Sequence, residues 1–163
     1  FALHAGHYGA KEVTGVDISA FACEFATENA RLNGLENVVH FVEANAFDLL
    51  AEQSRAGVKY DVVILDPPAF TKTRSAIEAA TRGYKEINLR AMKMVKPGGY
   101  LITCSCSQHI LPDAFMQIVR YAAHDAHVEL RQVEYRTQGR DHPILPAAPE
   151  TQYLKCGIFQ IFD

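Results

Sequence analysis

The chain has 163 residues, 48% of them hydrophobic and 21% charged, with a formal net charge of −3. That suffices for one domain with a sizeable core and excludes a surface that attracts nucleic acid by overall charge alone. No apolar run approaches the roughly 18 residues of a membrane span, no signal peptide is visible, and the four cysteines lack disulfide-framework spacing, so a reduced, cytoplasmic protein is expected.

In chain order, FALHAGHYGA opens as if entered within a helix. KEVTGVDIS then predicts a short strand over 13–16 that ends at Asp17, with Ser19 placed to cap the next helix. AFACEFATENARLNGL carries apolar residues at helical period and stops at Gly34. NVVHFVEANAFDLL reads as a strand through Val42, a polar break over 43–45, then a helix. YDVVILDPPAF is a strand that stops on an acid and two prolines. A loop and a long helix come next, halted at Lys96-Pro97-Gly98-Gly99. YLITCSCS is another strand and LPDAFMQIVRYAAHDA another helix. Two strand-like runs, HVELRQVEYR and TQYLKCGIFQIF, close the chain around a proline-rich loop. Alternating strands and helices predict an open, mostly parallel α/β sheet with a C-terminal antiparallel hairpin. With no internal repeat, low-complexity tract or linker, residues 1–163 are read as a single domain.

Ligands of such sheets bind beyond the carboxyl ends of the strands. Asp17, Glu43 to Asn45, Asp66 and Cys106 each fall at or just past such an end. A carboxylate at Asp17 can accept from two vicinal ribose hydroxyls, although a charge at a helix N-terminus explains it equally well. Asn45 can offer an adenine edge one acceptor and two donors, but a turn residue is the simpler reading. Asp66-Pro67-Pro68 with Phe70 is the most specific element: acid and proline carbonyl can accept from an exocyclic amine, and the aromatic ring can stack on a base. Cys104 and Cys106 share a face of their strand. No second Cys or His pair completes a zinc site, so no metal is expected. Cys104, Cys23 and Cys156 read as small core residues, whereas Cys106, nearer the ligand edge, is as well explained as a nucleophile. Lys72, Arg74, Arg82 and Lys85 could form a local phosphate-binding patch around the proline loop. Arg90, Lys93 and Lys96 read as a solvated helix face, and His142 sits in a loop able to fold over the site.

The ordered set VTGVDIS, FVEANAFDLL, YDVVILDPPAF, RGYKEINLRAMKMVKPGGYLITCSCS and GRDHPILPAAPETQYLK resembles the Rossmann-like class I S-adenosylmethionine-dependent methyltransferases. Within them it is most similar to the bacterial large-subunit rRNA methyltransferases that carry an N-terminal PUA domain and make 5-methylcytosine. The resemblance covers essentially the whole chain. It implies S-adenosylmethionine as cofactor, held by Asp17, Ile18, Asn45, Ala46 and Asp66. Relatives usually carry Asp at the position of Asn45. It implies Cys106 as the thiol that attacks carbon 6 of cytosine and Asp66 as the group at ring nitrogen 3. Pro67, Pro68, Phe70, Lys72, Tyr84 and His142 would contact the substrate. The implied partner is RNA, chiefly large-subunit rRNA, and a homodimer stays open. An amino- or ring-nitrogen methyltransferase would use the same Asp-Pro-Pro floor without the thiol, and a non-catalytic methyltransferase-like binding module would use neither. The resemblance also implies a first strand and a glycine-rich loop that these residues do not supply. GHYGA comes after a helix rather than a strand and is no substitute. A longer protein with an upstream RNA-binding part is therefore expected, and weak cofactor binding by this chain alone.

Overall fold

The computed structural model describes residues 1–71 and 73–162. The chain divides into two compact units, residues 1–52 and 53–163.

The first unit contains α1 (Ala2–His7), β1 (Val13–Asp17), α2 (Ala20–Leu32) and β2 (Val39–Glu43). β1 and β2 form a two-stranded parallel sheet in register from Val13↔Val39 to Asp17↔Glu43. Ser19 caps α2 as its position suggests, its hydroxyl accepting from the Ala22 amide at 3.2 Å. Gly34 takes a left-handed φ of +66°, which lets the chain leave α2 and turn into β2. The buried side chains of α2 and β2 are small or branched: Cys23, Ala30 and Val39. α3 (Ala46–Arg55) runs across the division between the units.

The second unit holds β3 (Tyr60–Leu65), α4 (Ile77–Met94), β4 (Val95–Ser105), α5 (Pro112–Ala126), β5 (Glu129–Arg136) and β6 (Lys155–Phe162). Its four-stranded sheet has the order β3-β4-β6-β5, with β3 and β4 parallel and β6 antiparallel to both neighbours. The expected C-terminal antiparallel pair is therefore present, and β6 lies between β4 and β5. The β3–β4 register jumps from Tyr60↔Val95 to Val62↔Tyr100, so the Lys96–Gly99 stretch, which the sequence presents only as a helix stop, bulges out inside β4. The core is built from Met92, Met94, Leu101, Phe115, Val119, Phe159 and Ile161, all at most 2% exposed. Among the described residues, no helix is long and apolar enough to cross a membrane.

Candidate active site

Candidate residues gather at strand carboxyl ends in each unit. In the first, β1 ends at Asp17 and the sheet bonding runs one step further, the Ala44 amide donating to the Asp17 carbonyl at 2.9 Å. Asp17 Oδ1 accepts from the Ser19 amide at 2.8 Å, which turns the exposed carboxylate over the start of α2. Its other oxygen has no partner among the described residues. Ile18 is 70% exposed. Asn45 caps α3: its Oδ1 accepts from the Phe47 amide at 2.9 Å and its carbonyl from the Leu49 amide at 3.0 Å. One lone pair of the side-chain oxygen is thus committed, and Nδ2 has no partner among the described residues. Asn45 and Ala46 are exposed. A cleft of about 450 Å³ between α2 and β2 is lined by Cys23, Glu24, Thr27, Phe41 and Glu43, and of the strand-end candidates it contains Glu43 alone.

In the second unit, Asp66 and Cys106 come just after the ends of adjacent parallel strands, Leu65 pairing with Thr103. Asp66 and Pro68 are exposed, Pro67 and Cys106 half-buried. The Cys106 thiol points at the Pro67 carbonyl at 3.9 Å, a weak contact that nonetheless sets the sulfur beside the Asp-Pro-Pro element. The main chain around Cys106 is held more firmly. The Ser107 amide donates to Ser105 Oγ at 3.3 Å, Ser107 Oγ bonds the Tyr84 hydroxyl at 2.8 Å, and Lys155 Nζ donates to the Ser107 carbonyl at 2.7 Å. Lys155, in register with Ser105, also donates to the Tyr153 carbonyl at 2.8 Å. It is 2% exposed, and burial pushes its ammonium down to about 8, against a smaller opposing pull from Cys106.

Cys104 and Cys156 face each other across β4 and β6. The hydrogen bond they share, then burial, pushes the Cys104 thiol up, while the same bond brings Cys156 down to about 7. Cys104 therefore remains a protonated donor within the sheet. Asp66 lies within electrostatic reach of both thiols.

Phe70 is half-buried, its ring centroid 4.5 Å from that of Tyr84, which in turn meets Phe115 edge-on at 5.7 Å. Tyr84, expected among the substrate contacts, is fully enclosed: it sits on the inward face of α4, and its hydroxyl is spent on Ser107. Any influence it has on a substrate passes through Phe70 and Ser107. His142 is exposed, its Nδ1 2.9 Å from the Tyr153 hydroxyl, and is joined to the Cys106 region only through Tyr153 and Lys155 among the described residues. Lys72 and the side chain of Arg74 lie outside the described residues. Of the expected phosphate patch, Arg82 pairs with Glu78 at 2.5 Å and Lys85 with Asp125 at 2.6 Å, which leaves less free positive charge there than the residue types suggest. Arg90 and Lys96 are likewise ion-paired at the surface, with Glu86 and Asp61.

Lys155 is the functional candidate that sequence reasoning misses. Its signal is the alternation of β6, in which Lys155 shares its phase with the buried Gly157, Phe159 and Ile161. A lysine on the core phase of a strand is unusual enough to mark a site.

A strand-end acid with two prolines after it and a thiol at the end of the neighbouring parallel strand lie on a mixed α/β scaffold, which is that of a methyltransferase domain. The family model for that domain matches residues 1–148, and the chain belongs to the family. Ribosomal RNA large subunit methyltransferase I of Shewanella denitrificans is 44% identical over 156 residues, which are 95% of this chain and 39% of that protein. Its counterpart from Aeromonas salmonicida is 43% identical over the same shares. The chain thus spans 39% of the length of these relatives. The solved structure of SMU.776, complexed with SAH, matches with a TM-score of 0.83 at 17% identity, covering 97% of this chain and 41% of that one. The fold is the Rossmann-like α/β fold of S-adenosylmethionine-dependent methyltransferases.

Proposed function

We propose that residues 1–163 are the catalytic domain of an S-adenosylmethionine-dependent RNA methyltransferase that makes 5-methylcytosine in large-subunit rRNA, in the cytoplasm. The observation that carries this reading is the Cys106 thiol set against the Pro67 carbonyl of the Asp-Pro-Pro element. The names of the relatives, ribosomal RNA large subunit methyltransferase I, support the RNA and its subunit.

The residues present fit the cofactor. The free Asp17 oxygen can accept from ribose hydroxyls, and Asn45 Nδ2 can donate to an adenine ring nitrogen while Oδ1 caps α3. Ile18 and Ala46 offer exposed apolar surface beside them. When bound, S-adenosylmethionine supplies an electrophilic methyl carbon.

Carbon 5 of cytosine is too weak a nucleophile to take that carbon unaided. Cys106 as thiolate adds to carbon 6, which moves an electron pair toward carbon 5 and ring nitrogen 3. Asp66 hydrogen-bonds nitrogen 3, giving or sharing a proton at that stage, and stabilises the adduct. After methylation a base removes the carbon 5 proton and the sulfur leaves, restoring the ring. Pro67 and Pro68 keep the acid on a stiff floor, and Phe70, backed by Tyr84, offers a stacking face for a base taken out of its helix. Lys72 and His142 complete the proposed substrate contacts.

The test is the labelled nucleoside. Full-length protein is incubated with radiolabelled S-adenosylmethionine and protein-free large-subunit rRNA, alongside Cys106→Ala. Label in 5-methylcytosine, reduced at least about a thousandfold in the variant, is expected. Label in a methylated purine, indifferent to the variant, would assign the Asp-Pro-Pro floor to amino- or ring-nitrogen transfer. No label in either would favour a binding module.

A further inference from the structure

Lys155 is a buried cation without a counter-charge among the described residues. Its ammonium is spent on two carbonyls, Ser107 and Tyr153, and no carboxylate lies within ion-pairing distance among the described residues. Buried lysines are rarely left this way, because carbonyl dipoles offset only part of the lost hydration. The groups around it are the hydroxyls of Ser105 and Ser107 from the end of β4 and the Tyr84 phenol from α4 through Ser107; its bond to the Ser107 carbonyl sets the ammonium one residue along the chain from Cys106, within electrostatic reach of that thiol. Asp66, just past the end of β3, acts on Cys104 and Cys156 rather than on the ammonium. Only Cys106 among these can supply a negative charge that favours the ammonium.

We infer that Lys155 is a positioning residue for Cys106, holding a positive charge beside its thiolate while its bond to the Ser107 carbonyl fixes the main chain that carries the sulfur. The inference rests on the reading of Cys106 as the nucleophile. Among the described residues the ammonium has no anionic partner while Cys106 is protonated. It acquires one when Cys106 loses its proton, and keeps the sulfur nucleophilic until carbon 6 is attacked. Once the sulfur is bonded to carbon its charge is gone, and the same ammonium favours its later departure as thiolate. A single fixed cation thus serves both the formation and the breaking of the carbon–sulfur bond.

The test reads sulfur reactivity directly. Full-length protein is alkylated with iodoacetamide from about pH 5.5 to about pH 10, and the Cys106 peptide is quantified by mass spectrometry, which separates it from Cys156. Wild type is compared with Lys155→Met, Lys155→Gln and Lys155→Arg. The neutral variants are expected to move the midpoint upward by about one pH unit, slowing alkylation near neutrality about tenfold while leaving the high-pH plateau in place; Arg restores the midpoint. A lysine that is only a strut would change the plateau and leave the midpoint unmoved, and that result overturns the inference. A reciprocal measurement needs no change at Lys155: the titration of its ammonium, tracked by nitrogen-15 NMR, should fall in Cys106→Ser, and an unchanged titration also overturns it. Failure of the nucleophile reading shows instead as a methylated purine in the nucleoside assay, so the two failures are distinct.

Discussion

Burying Lys155 costs the fold stability, and pH exposes that cost. Its folded pKa, about 8, lies below the ordinary lysine value of 10.5. Below pH 8 folded and unfolded chains both hold the proton, and the full penalty of burying the charge is present. Between pH 8 and 10.5 the unfolded chain holds a proton that the folded one has released, so this group makes stability rise with pH across that window. Lys155→Met removes the effect. Its stability relative to wild type is expected to be most favourable below pH 8 and to decline by up to about 3 kcal/mol by pH 10.5, read from urea unfolding at a series of pH values. A flat difference would mean that the burial penalty is not there. The candidate residues on strand ends, Asp17, Asn45, Asp66 and Cys106, were legible because a polar side chain ending an apolar run is visible in one dimension. The enclosure of Tyr84 was less so, since helix α4 is amphipathic but nothing local says that its Tyr hydroxyl is taken by Ser107 across 23 residues.

At the level of elements, local chemistry decides where segments begin and neighbouring strands decide how they end. Ser19 and Asn45 both cap helices just past the ends of strands, so two short-range side-chain bonds fix the entry angle of α2 and α3. β4 shows the opposite case. Lys96-Pro97-Gly98-Gly99 has the composition of a plain turn, yet the structure keeps it inside the strand as a bulge, because Asp61 of β3 approaches it. A Cβ on Gly99 would lie 2.6 Å from the Asp61 carbonyl and 2.9 Å from the Lys96 carbonyl, both main-chain atoms that cannot swing aside. Gly99→Ala is therefore expected to cost about 1–3 kcal/mol, seen as a lower urea midpoint at unchanged slope. An unaltered midpoint would show that the bulge can relax.

On the scale of the whole molecule, stability is distributed unevenly. The first unit rests on two strands and a few small buried side chains, the second on four strands packed against α4 and α5 with large enclosed ones. Isolated strand pairs are marginal, whereas wider sheets on helices open only with the global core. Amides of β1 and β2 are expected to exchange with solvent at least about tenfold faster than those of β4 and β6 in hydrogen-exchange mass spectrometry of this chain. Equal protection would mean that the two units share one cooperative core.

By itself the sequence determined the order of strands and helices, the parallel character of the early ones, the antiparallel close and the polar residues at strand tips, because each depends on periodicity or on residues a few positions apart. Only the tertiary structure decided that β6 lies between β4 and β5, that Cys104 meets Cys156, and that Lys155 reaches the Ser107 carbonyl across 48 residues beside Cys106. Those are pairings between distant segments, selected by which side chains fit together in a common core, and no local pattern encodes the partner.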